Sequence, residues 1–414
     1  MQWTYRSASS DVSGLVIVGG SYAGLNIAAS ARQNGYSESI TMLTDEAYLP
    51  YNRPPLSKGF LLGGVERETL PLRGEAFYRD NEIEVIFGAR ATQIDRAGYV
   101  DTVKGRFDFG QLAIATGTRA KLLPLPGADL DGVVTLRSLA DAEDIRERLP
   151  RAGSVVVVGG GFIGLELAAS MVKSGLQVTV VEGLDRVLAR VMGQTMSRYI
   201  EAEFARQGVH VLCRSGLECI EGRDGRVSAV CTTDGLRHPA DLVVLAVGAV
   251  PNIELADHLG LASSAGVLVD AHGRTADPRI FSAGDCAFGM NHFAGRSIRL
   301  ESVQNATDQG KAAGAAIAGR EIVNGSVPWF WSDQFAMKLQ MVGLAQGAER
   351  EVVRGSIESG KFSIFYMRGT RIVAIDSVNS VSDHVLGRKL LAADHSVSDA
   401  EVADIDFNLR SLLS

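Results

Sequence analysis

Leu15-Val16-Ile17-Val18-Gly19-Gly20-Ser21-Tyr22-Ala23-Gly24 and its later counterpart Val155-Val156-Val157-Val158-Gly159-Gly160-Gly161-Phe162-Ile163-Gly164 carry one signature over two strand-to-helix junctions. In each copy a short β-branched run reads as a buried strand, and the first glycine permits a tight turn. The next motif position lets the backbone approach a pyrophosphate, and the last glycine lets helix and strand pack closely. The phosphates then meet a helix N-terminus, where free N–H groups and the macrodipole favour anions. Both helices continue Gly-Leu-x-x-Ala-Ala-Ser, Gly24 to Ser30 and Gly164 to Ser170, and both reach a glycine suited to a C-cap, Gly35 and Gly175. A second apolar strand then runs to an acid, Asp45 in one copy and Glu182 in the other. That is near the roughly 20-residue offset at which a carboxylate grips a ribose diol. One such motif is a weak signal, but its duplication with both acids predicts two bound dinucleotides.

With 414 residues, 46% apolar and 21% charged, the chain has the composition of a soluble globular protein with two or three domains. A net charge of -7 without a basic stripe argues against nucleic acid as a partner. No segment approaches the roughly 18 uninterrupted apolar residues of a membrane span. The polar opening Met1-Gln2-Trp3-Thr4-Tyr5-Arg6 lacks a signal-peptide core, so no membrane contact and a cytoplasmic address are expected. Cys213, Cys219, Cys231 and Cys286 show neither C-x-x-C spacing nor a disulfide framework and read as core residues or reduced thiols. The seven histidines contain no i,i+4 pair and no H-E-x-x-H arrangement, so no metal site is expected.

The coarse pattern is strand, helix, strand from Leu15 to Thr44, then the proline-rich Leu49-Pro50-Tyr51-Asn52-Arg53-Pro54-Pro55-Leu56-Ser57-Lys58. An apolar strand closes the first unit at Ala115-Thr116-Gly117, and a similar one closes the second at Val247-Gly248-Ala249-Val250-Pro251-Asn252. Paired closing turns indicate that the second domain is inserted into the first. Arg279-Ile280-Phe281-Ser282-Ala283-Gly284-Asp285 then reads as the chain returning to the first domain. Beyond Trp329, short β-rich stretches alternate with turns. The fold class is α/β: two Rossmann-like dinucleotide-binding domains, over 1–119 with 250–327 and over 120–249, plus a C-terminal α+β domain over 328–414.

These fingerprints, together with Arg53-Pro54-Pro55-Leu56-Ser57-Lys58, Ala115-Thr116-Gly117, Gly284-Asp285, Glu301-Ser302-Val303-Gln304-Asn305 and Pro328-Trp329-Phe330-Trp331-Ser332-Asp333-Gln334, follow one another in a fixed order. Over essentially its whole length the chain resembles the oxygenase-coupled ferredoxin reductases, FAD enzymes of the glutathione-reductase fold. The resemblance implies hydride uptake from NADH and single-electron delivery to a 2Fe-2S ferredoxin serving a cytochrome P450 or a Rieske oxygenase. It places FAD on the first fingerprint: Gly19, Ser21, Tyr22, Ala23 and Gly24 at the pyrophosphate, Asp45 on the adenosine ribose, Ala91 near the adenine. Arg53, Lys58 and Arg137 would lie along the flavin side, with Ala115, Thr116, Gly117, Gly284, Asp285, Ser302, Val303 and Trp331 as further contacts. Ser21 departs from the pattern by replacing a glycine, which leaves the local backbone open. Gly159, Gly161, Phe162, Ile163, Gly164, Glu166, Glu182 and Gly248 would serve the nicotinamide cofactor. Glu182 can accept both ribose hydroxyls and would repel a 2′-phosphate, so NADH is preferred. Arg186 reads as a surface arginine, or else as a residue that softens this preference.

Lys58, Glu166 and Trp331 are the catalytic candidates. A lysine beside the flavin places a cation where negative charge accumulates on reduction. Glu166 follows the last fingerprint glycine by two residues, where the first copy has Asn26, and the resemblance implies that it pairs with Lys58; a solvated glutamate and a surface lysine are the plainer alternatives. Disulfide reductases of this fold keep a cysteine pair after the first ribose acid. Here Pro54 to Lys58 stand there and no cysteine precedes Cys213, so thiol relay is excluded. Trp329 and Trp331 read as an electron exit or docking surface, or as domain packing. An acidic ferredoxin requires a local basic patch, for which Arg296, Arg299, Lys338, Arg388 and Lys389 are candidates. The alternatives are a rubredoxin reductase or other NADH:acceptor oxidoreductase, and a redox-sensing flavoprotein resembling apoptosis-inducing factor. A monomer is expected.

Overall fold

The computed structural model of the chain describes residues 14–393 and 395–413; the opening residues 1–6 read above lie outside them. The chain divides into two compact units. One holds the described residues up to Asn52, Leu70–Arg119 and Pro251–Ser326, and the other Arg53–Thr69, Ala120–Val250 and the described residues from Val327 onward.

In the first unit a parallel sheet runs in the order Ile280–Ser282, Gln111–Ile114, Leu15–Val18, Ile40–Leu43, Ile83–Ile86. Leu15–Val18 is central and buried on both faces: Leu15 and Ile17 enter one apolar cluster, Val16 and Val18 another. A strand covered on both sides must be apolar at every position, hence the unbroken run. The helix Tyr22–Gln33 lies against Val303–Ile317 so closely that a Cβ on Gly310 would stand 2.8 Å from the Ala23 carbonyl oxygen.

The second unit repeats this plan. Its parallel sheet runs His210–Cys213, Gln177–Glu182, Ser154–Val158, Leu242–Leu245, Val133–Val134, with an antiparallel meander of Leu217–Arg223, Arg226–Thr232 and Arg237–Pro239. From Trp329 a five-stranded antiparallel sheet follows, ordered Trp329–Gln334, Met337–Gly343, Arg371–Val378, Lys361–Arg368, Arg350–Ser356, and the helix Val381–Leu390 packs on it. The proline-rich segment Arg53–Thr69, which the sequence reading groups with residues 1–119, packs within this second unit. Its Ser57 and Lys58 are bonded there to Glu166.

Candidate functional site

The two fingerprints have matching backbones. Gly19 and Gly159 sit at φ +122° and +110°, and a Cβ on either would run into the carbonyl oxygen of Ala115 or Ala246, each just past a sheet strand. Gly24 and Gly164 lie against the carbonyls of Gly19 and Gly159. In both helices the first return bond reaches the cap, Leu25 N–H to Ser21 O and Leu165 N–H to Gly161 O, each 2.9 Å. The start of a helix has no acceptor one turn back for its first amides, which makes such a start suited to anions. Ser21 caps its helix at φ −142°, and Gly161 caps the other at φ −82°, with nothing within 4 Å of an added Cβ. Both are conformations any residue adopts, so the serine is accommodated without strain.

Glu182 ends its strand, where Oε2 accepts from the Gly160 amide at 2.7 Å and Oε1 from the Leu184 amide at 2.8 Å. Arg186 is half-buried, its side chain 25% exposed: Nη1 lies 3.2 Å from the exposed Asp185, and Nη2 donates to the carbonyls of Ala189 at 3.1 Å and Met192 at 3.3 Å. The guanidinium is therefore engaged with its own loop. Asp45 is exposed, two residues beyond Leu43, while its neighbour Glu46 accepts a 2.5 Å bond from the Tyr51 hydroxyl.

Elsewhere in the first unit, Thr116 Oγ1 donates to the Asn252 carbonyl at 2.7 Å, and Asn252 Nδ2 returns a 2.9 Å bond to the Thr116 carbonyl. This clamp holds the Ala115-Thr116-Gly117 turn; the sequence marked Asn252 only as the end of a similar turn. Gly284, at φ +87°, donates its amide to Gln309 Oε1 at 2.9 Å and leaves room for the Ala23 methyl. No periodicity marks Gln309 in advance. Asp285 is half-buried, and its carbonyl accepts from Arg299, whose Nη1 also meets Glu301 at 2.5 Å. Ser302 caps the helix that begins at Val303, accepting from the Asn305 amide at 3.0 Å. Ala91 opens the strand Ala91–Asp95, half-buried against the cluster containing Ile94 and Val100.

In the second unit, Pro54 and Pro55 set the short helical turn Pro54–Ser57 that ends at Lys58. Lys58 Nζ stands 2.8 Å from Glu166 Oε1, and Ser57 Oγ donates to Oε2 at 2.5 Å. Ser170, one turn beyond Glu166, donates to the Ser57 carbonyl at 2.7 Å. Ser332 adds a 2.7 Å bond to Oε1. Glu166 is only 6% exposed, and a buried carboxylate is tolerated when a cation and hydroxyl donors meet it. The pairing of Lys58 with Glu166 was legible through the resemblance; Ser57 and Ser332 as its partners were not. Arg53 Nη1 donates to the Arg137 carbonyl at 2.7 Å, bringing those two candidates together.

Trp329 and Trp331 lie on one side of their strand with ring centroids 5.5 Å apart, and Phe330 turns the other way, 4.8 Å from Phe162. Arg388 lies over the Trp329 ring at 4.9 Å, and His384 meets it at 5.8 Å. Burial, then Arg388, lowers the His384 imidazole to about 4, so it is neutral at pH 7. Of the basic candidates, Lys338, Arg388 and Lys389 belong to the second unit and Arg296 and Arg299 to the first. Cys213, the first cysteine in the chain, is pushed up to about 12 by burial and then by Glu201, which keeps it a thiol.

Residues 13–310 match the family model described as pyridine nucleotide-disulphide oxidoreductase, and residues 329–413 match reductase C-terminal. The chain belongs to the pyridine nucleotide-disulphide oxidoreductase family. This oxidoreductase is 44% identical to rhodocoxin reductase of Rhodococcus erythropolis over 398 residues, 96% of this chain and 93% of that protein. The ferredoxin reductase for the CYP199A2 system from Rhodopseudomonas palustris matches it with a TM-score of 0.94 at 41% identity, covering 97% of this chain and 100% of that one. The covalent putidaredoxin reductase–putidaredoxin complex matches with a TM-score of 0.93 at 35% identity, covering 97% and 98%. The expected α/β class, with a distinct C-terminal domain, is the fold of this family member.

Proposed function

We infer that the chain is an NADH-dependent ferredoxin reductase: it oxidises NADH and passes single electrons to a 2Fe-2S ferredoxin that feeds a cytochrome P450 or Rieske oxygenase. The observation that carries this is likeness over the full length, C-terminal domain included, to a ferredoxin reductase of an oxygenase system. The lack of any cysteine before Cys213 supports direct exit of electrons from a flavin.

Bound FAD would supply the chemistry of accepting two electrons at once and releasing them one at a time. Domains over 1–119 with 250–327, over 120–249 and over 328–414 would hold FAD, hold NADH and face the ferredoxin. The fit of FAD rests on the first fingerprint, where Gly19 and Gly24 leave no room for a side chain and the helix begins its internal bonding only at the Leu25 amide. Asp45 would take the adenosine ribose, and Gly284, Asp285, Ser302 and Val303 would line the flavin end. Gly159, Gly161 and Gly164 would cradle NADH, with Glu182 on its ribose diol; a 2′-phosphate there would meet a carboxylate. Lys58, aimed by Glu166, would present its ammonium to the reduced flavin. Trp331 would lie on the exit path. Among the described residues no helix is long and apolar enough to cross a membrane. The cytoplasmic address is supported by four cysteines that are all free thiols.

The test is steady-state NADH oxidation by the purified yellow protein, with a 2Fe-2S ferredoxin and cytochrome c as readout, against the same mixture lacking ferredoxin. Strong ferredoxin dependence is expected. Rapid flavin reduction without that dependence would keep the NADH half and move the acceptor to rubredoxin, a quinone or a signalling partner.

A further inference from the structure

We propose that Ser332, backed by Gln334, is a positioning residue for flavin reduction: its hydroxyl holds the Glu166 carboxylate and, through it, the Lys58 ammonium. This rests on the reading above that Lys58 serves the flavin.

Register brings the two side chains together. Along Trp329–Gln334 alternate side chains share a face, so Phe330, Ser332 and Gln334 point one way and Trp331 and Asp333 the other. On the helix Phe162–Lys173, residues four apart share a face, which aligns Phe162, Glu166 and Ser170. Two strand residues span about 6.8 Å and four helical residues about 6 Å, so the two rows run nearly in step. Phe330 meets Phe162 at 4.8 Å, and Ser332 Oγ therefore meets Glu166 Oε1 at 2.7 Å.

Ser332 and Gln334 are both 0% exposed. A wholly buried strand position facing a helix ordinarily takes an aliphatic residue, because a hydroxyl there costs free energy unless it is bonded. Ser332 is bonded twice, and the directions are determined. Its single proton goes to Glu166 if its oxygen accepts from Gln334 Nε2, which stands 3.1 Å away. The opposite amide orientation would draw the Ser332 proton toward Gln334 and leave the carboxylate without it. In the orientation found, Gln334 Oε1 is buried without a partner among the described residues, so the chain Gln334 to Ser332 to Glu166 is kept at some cost.

Glu166 Oε1 is shared by Lys58 and Ser332, while Oε2 takes Ser57. Without Ser332 the carboxylate can rotate about its last torsion, and Lys58 follows on a flexible four-carbon stem. The C-terminal domain thus reaches the lysine through one hydroxyl.

The test compares parent, Ser332→Ala, Ser332→Thr, Lys58→Met and the Ser332→Ala/Lys58→Met double variant as flavin-loaded full-length proteins. Two quantities are read: the limiting rate of flavin reduction by NADH in stopped flow, and the midpoint potential of the bound flavin by dye-linked titration. Ser332→Ala is expected to slow reduction roughly tenfold, the size of a lost hydrogen bond to a charged group, with a more negative potential and NADH affinity within about twofold of the parent. Ser332→Thr, which keeps the hydroxyl, restores most of both. In the Lys58→Met background the alanine change has no further effect on either. An unchanged rate and potential in Ser332→Ala would overturn the proposal, as would the same fold loss with and without Lys58. A Lys58→Met protein that reduces its flavin normally would instead remove the underlying reading of Lys58. Should Ser332→Ala lose its flavin, Gln334→Met carries the same test, with a smaller loss that also vanishes without Lys58.

Discussion

The Tyr366 hydroxyl donates a 2.7 Å hydrogen bond to Asp376 Oδ2 and accepts one at 3.0 Å from the Gly193 amide, at the start of the helix Gln194–Arg206. Both side chains lie on paired strands of the C-terminal sheet, and Asp376 is 4% exposed. Burial raises the Asp376 carboxyl from 3.8 to about 7; the Tyr366 bond opposes this and the Glu351 charge adds to it.

That carboxyl makes stability depend on pH. Its folded value lies above its unfolded one, so the folded state binds the extra proton between pH 4 and 7. The contribution is complete below about pH 4 and is lost as pH rises through about 7. Relative to Asp376→Asn, the parent should lose about 2–4 kcal/mol of stability between pH 5 and 8, read from urea midpoints at each pH. A difference that does not vary with pH would mean that Asp376 does not titrate in this window.

The cap positions of the two fingerprint helices should tolerate exchange while the packing glycines do not. Gly161→Ser, the mirror of Ser21, should fold and keep its NADH Michaelis constant within about threefold, since its Cβ enters open space at φ −82°. Gly164→Ala drives a methyl into the Gly159 carbonyl and should cost about 3 kcal/mol or abolish NADH binding. Thermal unfolding and NADH titration separate the two variants, and equal behaviour would contradict the packing argument.

Glu182 should set the choice between NADH and NADPH. Replacing it with serine removes the carboxylate at the strand end, and the ratio of kcat/KM for NADPH over NADH should rise at least about tenfold. An unchanged ratio would show that discrimination lies elsewhere. Arg186, tied to the Ala189 and Met192 carbonyls, is not positioned to take over a phosphate without breaking those bonds.

Steering by Arg388 and Lys389 should appear in salt dependence. Raising ionic strength from about 0.05 to 0.3 M should slow reduction of an acidic ferredoxin severalfold and leave a small neutral acceptor unaffected. Arg388→Gln/Lys389→Gln should flatten that dependence. Arg388 also covers the Trp329 ring, so thermal unfolding of the variant should be compared with the parent to remove a packing contribution. Equal insensitivity of both acceptors would rule out steering.

By itself the sequence determined the two strand–glycine–helix units, because a strand covered on both faces and a positive-φ turn each restrict residue type locally. It also showed that no cysteine precedes Cys213, a matter of composition, and it pointed to Lys58 and Glu166 through motifs kept in order. Tertiary structure alone decided what holds Glu166. Ser332 and Ser57 stand far from it in the chain: Ser332 meets it because a strand face and a helix face fall in step, and Ser57 because the turn Pro54–Ser57 packs on the same helix. The inward turn of Arg186, the Asn252 clamp on Thr116 and the enclosure of Asp376 are of the same kind. Periodicity and backbone conformation are written residue by residue, whereas a buried polar partner is chosen by which surfaces pack, and packing is a property of the whole chain.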